Sequence, residues 1–296
     1  GAVAKDQIEA AFAKLGEPLG LSAADAAYAV LRVVNDAMAG AIRIVTLQRG
    51  HDPREFAIFA FSGAGPLHGV ALAKALGIPK VIVPYVPGLT CALGCIVADV
   101  RHDFVRTVGR SLDDLSEAEV RSILEEQRAL GLDRLTMDRV DVERVETIHE
   151  ADMHYEGQTY TLRVRLDPEK LSIGDLRELL RRSFADRFGI DLGTYRPKLA
   201  NLRTAIIGVR PRLDLRNIVS ATHRPVAISE ARIGARQVWF ENGFVETPIY
   251  QRELLPLGAT LSGPAIFNQM DATTVSEPGD RVSVDDLGNL VIEVGQ

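Results

Sequence analysis

Only two cysteines, Cys91 and Cys95, occur in the 296-residue chain. A secreted disulfide framework needs more. Zinc wants about four ligands, and no further Cys or His lies close in sequence to complete a set. A spacing of four brings two thiols onto one helix face. The expectation is a pair of buried structural thiols in a reducing cytoplasm, with no metal. Positive charge is also scarce: 34 Lys and Arg face 40 Asp and Glu, a formal net charge of −6. A nucleic-acid surface would be basic. No apolar run is long enough to span a bilayer. The start, Gly1-Ala2-Val3-Ala4-Lys5-Asp6, lacks the apolar segment of a signal peptide. It lacks a methionine as well, so the chain is expected to be cut from something longer or to begin at a cloning or processing scar. Repeats and low-complexity tracts are absent.

What the chain does have is core material. It is 46% hydrophobic, and its length suits roughly two domains. The most informative run is Asp52-Pro53-Arg54-Glu55-Phe56-Ala57-Ile58-Phe59-Ala60-Phe61-Ser62-Gly63-Ala64-Gly65-Pro66-Leu67-His68. An apolar strand, Ala57 to Phe61, empties into a glycine turn, and a helix from Pro66 to Leu76 starts at once. Glycine lets a backbone approach a ligand, and free N–H groups at a helix start suit an anion or nucleotide. The bland alternative is a tight strand-to-helix turn that binds nothing. Gly77-Ile78-Pro79 ends the helix, and Lys80 to Pro84 is a second apolar strand. That alternation predicts parallel strands with a crossover helix.

Upstream, Ser22 and Asp25 mark a helix start. An amphipathic pattern of nearly thirty residues runs to Arg49-Gly50, with Asn35 and Arg43 expected to face solvent. Downstream, Thr90 to Ala98 is a small-residue helix and His102 to Leu112 a strand. Ser116, with Glu119 three residues on, caps a helix to Leu132. Strands Val140 to Tyr155 and Thr159 to Leu166 flank a turn at Glu156-Gly157-Gln158, and Ser172 to Phe188 is a further helix. From about Ala200 the chain is strands and turns, with hairpins at Glu241-Asn242-Gly243 and Asp286-Leu287-Gly288-Asn289. The pattern therefore predicts an α/β part, an α+β part and a mostly β module, a sandwich or barrel.

Several chemical candidates carry plainer readings. His102 and Asp103 lack a nucleophile elbow to complete a triad. His149, Asp152 and His154 have a metal-like spacing, but 149 falls on the other strand face from 152 and 154, which favours a structural edge strand. Asp191-Leu192-Gly193-Thr194 mimics a phosphate loop without a strand on each side. Asp271 to Thr274, with Asp285 and Asp286, form solvated turns. A dinucleotide fingerprint fails, because His68 stands at the third glycine position and no acidic residue closes the strand Val81 to Pro84.

The run His51 to His68 resembles the hydantoinase A family, which includes the A-type component of N-methylhydantoinase, 5-oxoprolinase and components of acetone and acetophenone carboxylases. Gly77-Ile78-Pro79, Ala92-Leu93-Gly94, Ala98-Asp99-Val100-Arg101-His102-Asp103, Tyr155-Glu156-Gly157-Gln158, Gly263-Pro264-Ala265-Ile266 and Asp285-Asp286-Leu287-Gly288-Asn289-Leu290 extend the likeness along the chain in order. Two departures stand out. Ser62 replaces the first glycine of Gly-Gly-Ala-Gly, and His154 replaces an arginine often found after the Asp-Met pair.

The resemblance implies an actin-like ATPase fold in which two lobes close on ATP. This chain would hold part of the second lobe at 1–112, an α+β region at 113–199 and a β-rich C-terminal domain at 200–296. Ser62, Gly63, Ala64 and Gly65 would touch the nucleotide, with His68 one helical turn away. An Asp-x-Gly-Gly-Thr phosphate loop and most Mg ligands would belong to an N-terminal half outside this chain, and no catalytic residue is assigned here. The implied activity is ATP-dependent hydrolysis of small cyclic amides, hydantoin or 5-oxoproline, through a phosphorylated intermediate. An oligomeric cytoplasmic enzyme with a B-type partner subunit follows from the same likeness, as does an inactive isolated fragment. The carboxylase branch and a non-catalytic docking module are the alternatives.

Overall fold

The computed structural model describes residues 4–212, 214 and 225–295. It is a mixed α/β protein with three sheets. Two compact units are present, Gly1–Ile96 with Asp214–Gln296, and Val97–Leu213. These cut across the three consecutive segments expected from the sequence.

The first unit opens with α1 (Lys5–Gly16) and α2 (Ala23–Gln48). The Ser22 side chain accepts the Asp25 N–H at the head of α2, a cap that contributes about 1 kcal/mol. Then come β1 (Ile58–Phe59), α3 (Gly65–Leu76), β2 (Lys80–Val83) and α4 (Thr90–Val97). β1 and β2 pair in parallel, Ile58 opposite Val81, as the alternation predicts. Gly77 ends α3 at φ 68°, the left-handed conformation that favours glycine.

The expected β module after residue 200 is not a separate sandwich or barrel. After α7 (Ile228–Ala231), seven strands follow in the described residues: β7 (Arg232–Phe240), β8 (Gly243–Gln251), β9 (Thr260–Ser262), β10 (Ala265–Asn268), β11 (Thr273–Ser276), β12 (Arg281–Val284) and β13 (Leu290–Glu293). Three of them join the first pair in a five-stranded sheet of order β1-β2-β13-β12-β9, and the other four form a sheet of order β11-β10-β8-β7. The reason is burial. A lone parallel pair cannot cover its own apolar surface. β13 runs antiparallel along β2, and Val81, Val83, Leu290 and Ile292 enter one core with Val70, Ala73, Leu261, Phe267 and Val282.

The second unit alternates β3 (Val100–Ser111), α5 (Glu117–Met137), β4 (Arg144–Tyr155), β5 (Leu162–Leu166), α6 (Ile173–Phe188) and β6 (Pro197–Val209). The sheet order is β3-β6-β4-β5, antiparallel at each pairing. β6 belongs between β3 and β4, so a boundary at 200 would split a central strand. β4 is central too, which corrects the edge-strand expectation for His149, Asp152 and His154. Ser116 and Ser172 cap α5 and α6. Leu124, Met153, Leu176, Leu180 and Leu199 share a core.

Candidate nucleotide site

β1 and β2 end side by side, and the turn Ser62 to Gly65 leaves the carboxyl end of β1, where ligands of parallel α/β sheets bind. Ser62, Gly63 and Ala64 are exposed and Gly65 is half-buried. A Cβ added to Gly63 would find only the Asp271 carbonyl, at 3.5 Å, and one on Gly65 only the Ala60 carbonyl carbon, at 3.8 Å. The space over the backbone is therefore open, which fits close approach by a ligand. No side chain caps the start of α3; in its first turn Pro66 has no amide proton and the Leu67 amide donates to the Ala64 carbonyl at 3.1 Å. Ser62 sits at φ 71°, so the residue that departs from the family's glycine pattern carries the left-handed conformation in which glycine is unstrained.

The turn is held from outside the run that advertises it. The Ser62 amide donates to the Pro87 carbonyl at 2.7 Å. The Gly88 amide donates to Asp271 Oδ2 at 2.8 Å, and a Cβ on Gly88 would overlap the Asp271 side chain. Gln269 Nε2 donates to the Tyr85 carbonyl at 2.7 Å, and the Tyr85 amide donates to Asn289 Oδ1 at 3.0 Å. Beneath them Arg252, 3% exposed, donates to the carbonyls of Val83 and Gly288 at 2.9 and 3.2 Å and to Gln269 Oε1 at 3.0 Å. Burial, opposed by Glu253 and more weakly by other acidic groups, pulls its guanidinium down to about 10. Asp271 is thus a loop fastener rather than a solvated turn residue. Asp285 is one also, accepting the amides of Leu287 and Asn289 at 2.9 and 2.8 Å. Sequence reasoning missed Arg252, Gln269 and the 85–89 loop. Gly88 was the available signal.

His68 is half-buried on α3, its Nδ1 2.8 Å from Asn35 Oδ1. It lines a cavity of about 460 Å³ with Tyr28, Arg32, Lys74, Trp239 and Glu277 among its walls. Asn35 therefore does not simply face solvent, and neither does Arg43, which donates to the Ala75 carbonyl at 3.3 Å. Both sit where α2 packs on α3.

The remaining candidates resolve into structure. His102 Nε2 lies 2.6 Å from Asp138 Oδ2, and Asp103 pairs with Arg101. Asp191 pairs with Arg181 and accepts the Gly193 amide, ending a helix-to-strand connection. His154 Nδ1 contacts the Tyr155 carbonyl. No group of three or more His, Cys, Asp or Glu able to hold a metal occurs among the described residues. Cys91 and Cys95 are exposed, not buried, because α4 buries none of its residues. Among the described residues no helix is long and apolar enough to cross a membrane.

Fold and turn together define an α/β protein with a backbone-lined turn at the end of parallel strands. The hydantoinase/oxoprolinase family model matches residues 1–104, and the model of its C-terminal domain matches residues 194–291. The chain belongs to the hydantoinase/oxoprolinase family. An uncharacterized protein of Methanocaldococcus jannaschii is 35% identical over 98% of this chain and 41% of its own length. The alpha subunit of the caprolactamase of Pseudomonas jessenii is 29% identical over 94% of this chain and 41% of its own. The gamma subunit of the acetophenone carboxylase of Aromatoleum aromaticum is 26% identical over 95% and 40%. The crystal structure of the ATP-dependent caprolactamase from Pseudomonas jessenii superposes with TM-score 0.74 and 27% identity, covering 98% of this chain and 42% of that one. The chain thus spans about two fifths of the length of these relatives.

Proposed function

We propose that this chain is the later part of an ATP-dependent amidohydrolase that opens small cyclic amides of the hydantoin, 5-oxoproline or lactam kind. The open turn Ser62 to Gly65 carries the reading. It would take the adenosine end of ATP in a partial actin-like lobe, with His68 bordering the site. The Mg-bound phosphates would lie mostly against residues outside this chain. An amide carbonyl is a poor electrophile. Phosphoryl transfer to its oxygen forms an O–P bond and releases ADP. Water then adds to the activated carbon, the ring C–N bond breaks with its electron pair and a proton going to the amine, and a second water cleaves the acyl phosphate left behind into carboxylate and phosphate. Protein assistance in such transfer is positioning and charge stabilisation. Relatives named as alpha and gamma subunits favour a multisubunit enzyme with a B-type partner, and the low cysteine count favours the cytoplasm.

The test uses the full-length parent with its partner: ATP hydrolysis should depend on hydantoin, 5-oxoproline or a lactam. Turnover only with acetone or acetophenone and bicarbonate would move the protein to the carboxylase branch, which the acetophenone carboxylase relative keeps in view. No nucleotide binding by the parent, together with retained partner binding, would make this region a docking module.

A further inference from the structure

A run of hydrogen bonds in the β3–β6 unit fixes the state of one histidine. The Leu202 carbonyl can only accept, and Gln127 Nε2 donates to it at 3.2 Å. That orients the amide, so Gln127 Oε1 accepts, and Thr204 Oγ1 donates to it at 2.8 Å. With its one proton committed, the hydroxyl must accept at its contact with His149 Nδ1, 2.9 Å away. His149 therefore carries its proton on Nδ1, and Nε2 is a bare lone pair. Burial pushes the imidazole below its ordinary pKa, with Glu125 opposing and Arg128 reinforcing, so the ring is neutral near pH 7.

His149 is buried, yet its Nε2 is not among the sealed polar atoms that lack a partner. His149 lines a cavity of about 700 Å³ with Glu125, Arg128, Thr147 and Asp167; Arg165 borders it too, but Arg165 stands opposite Glu150 and His149 opposite Leu166, so the Arg165 side chain leaves from the other sheet face. Neither family model reaches these positions. The charges around the cavity are not locked together. The ion pairs made by Arg128 with Glu125 and by Asp167 with Lys170 are long, 3.9 and 3.8 Å. A simple anion would meet the Glu125 and Asp167 carboxylates here, and a simple cation the Arg128 guanidinium.

We propose that this cavity binds a small zwitterion, an amino acid whose carboxylate meets Arg128 and whose ammonium donates to His149 Nε2, Glu125 and Asp167. An ammonium has three donors and no acceptor, which matches three acceptors, and charge-assisted bonds strengthen both ends. Hydrolysis of any lactam places an amine and a carboxylate on one chain, so ring-opened products belong to this ligand class. Binding here does not depend on what the glycine turn holds.

The experiment titrates the chain with ε-aminocaproate while following the His149 ring nitrogens by NMR. Hexanoate and hexylamine serve as analogues lacking one charge. The expected result is an Nδ1-protonated ring in the free protein, saturable shifts at Nε2, and analogues weaker by about tenfold or more. Arg128→Gln, on an exposed side chain, should weaken ε-aminocaproate about tenfold and leave the tautomer alone. Thr204→Val should remove both the tautomer preference and the binding. A proton on Nε2, unmoved His149 signals, or equal binding by the analogues or by the Arg128→Gln variant would overturn the proposal.

Discussion

Asp152 and Arg252 are both buried charges, one in each unit, and the protein treats them differently. Asp152 accepts from Arg203 at 2.6 Å, Asn201 at 3.0 Å and Arg163 at 3.1 Å. Burial raises its carboxyl pKa, but these bonds outweigh that and hold it below the ordinary carboxylate range. Arg252 meets neutral acceptors instead: two backbone carbonyls and one amide oxygen, with Nε left unpaired. Burying a charge without a counter-ion is costly. What it supplies here is geometry, a rigid fork that cross-links the end of β2, the β12–β13 turn and the segment after β10. The carboxylate braces a sheet face with side chains, whereas the guanidinium fixes the backbone around the turn proposed to take the nucleotide.

That contrast ranks the outcomes. Arg252→Ala should have the largest effect, about 4 kcal/mol lost in denaturant unfolding, because it leaves a cavity and several orphaned acceptors. Amide exchange should quicken first at 85–89 and then at 62–65. A cost below about 1 kcal/mol, or a uniform rise in exchange, would break the comparison.

Asp152→Asn should cost less, about 2 kcal/mol, since Arg163 is 53% exposed and can return to water. Acid titration sharpens the same point. Folded pKa values depressed at Asp152 and His149 mean that the unfolded chain binds more protons, so stability rises with pH. The His149 contribution is complete above the ordinary imidazole value of 6.5 and fades as pH falls through its depressed folded pKa. The Asp152 contribution is complete above the ordinary carboxyl value of 3.8 and fades lower still. Asp152→Asn should flatten only the lower limb of the stability–pH curve. The smallest effect is expected at the turn itself. Ser62→Gly should raise stability by about 0.5 kcal/mol, relief of the left-handed strain less the entropy of glycine.

Local chemistry was legible in the sequence. Serine caps, the Gly77 stop and the parallel crossover around α3 follow from neighbours within a few residues, and so did the glycine turn. What supports that turn was not legible, because Arg252, Gln269 and Asp271 lie about two hundred residues beyond it in the chain. Nothing in a strand pattern says that β13 will choose β2 rather than a partner within its own hairpins. Likewise His149 and Thr204 lie on strands whose pairing the sequence does not state, so the histidine's tautomer emerges only from the fold.

The most direct measurement is amide hydrogen exchange on the full-length parent with and without a non-hydrolysable ATP analogue and Mg. The account expects slowed exchange at Gly63, Ala64 and Gly65, with His68 perturbed and the β3–β6 unit unchanged. Saturating nucleotide that leaves those three amides as fast as before would contradict it.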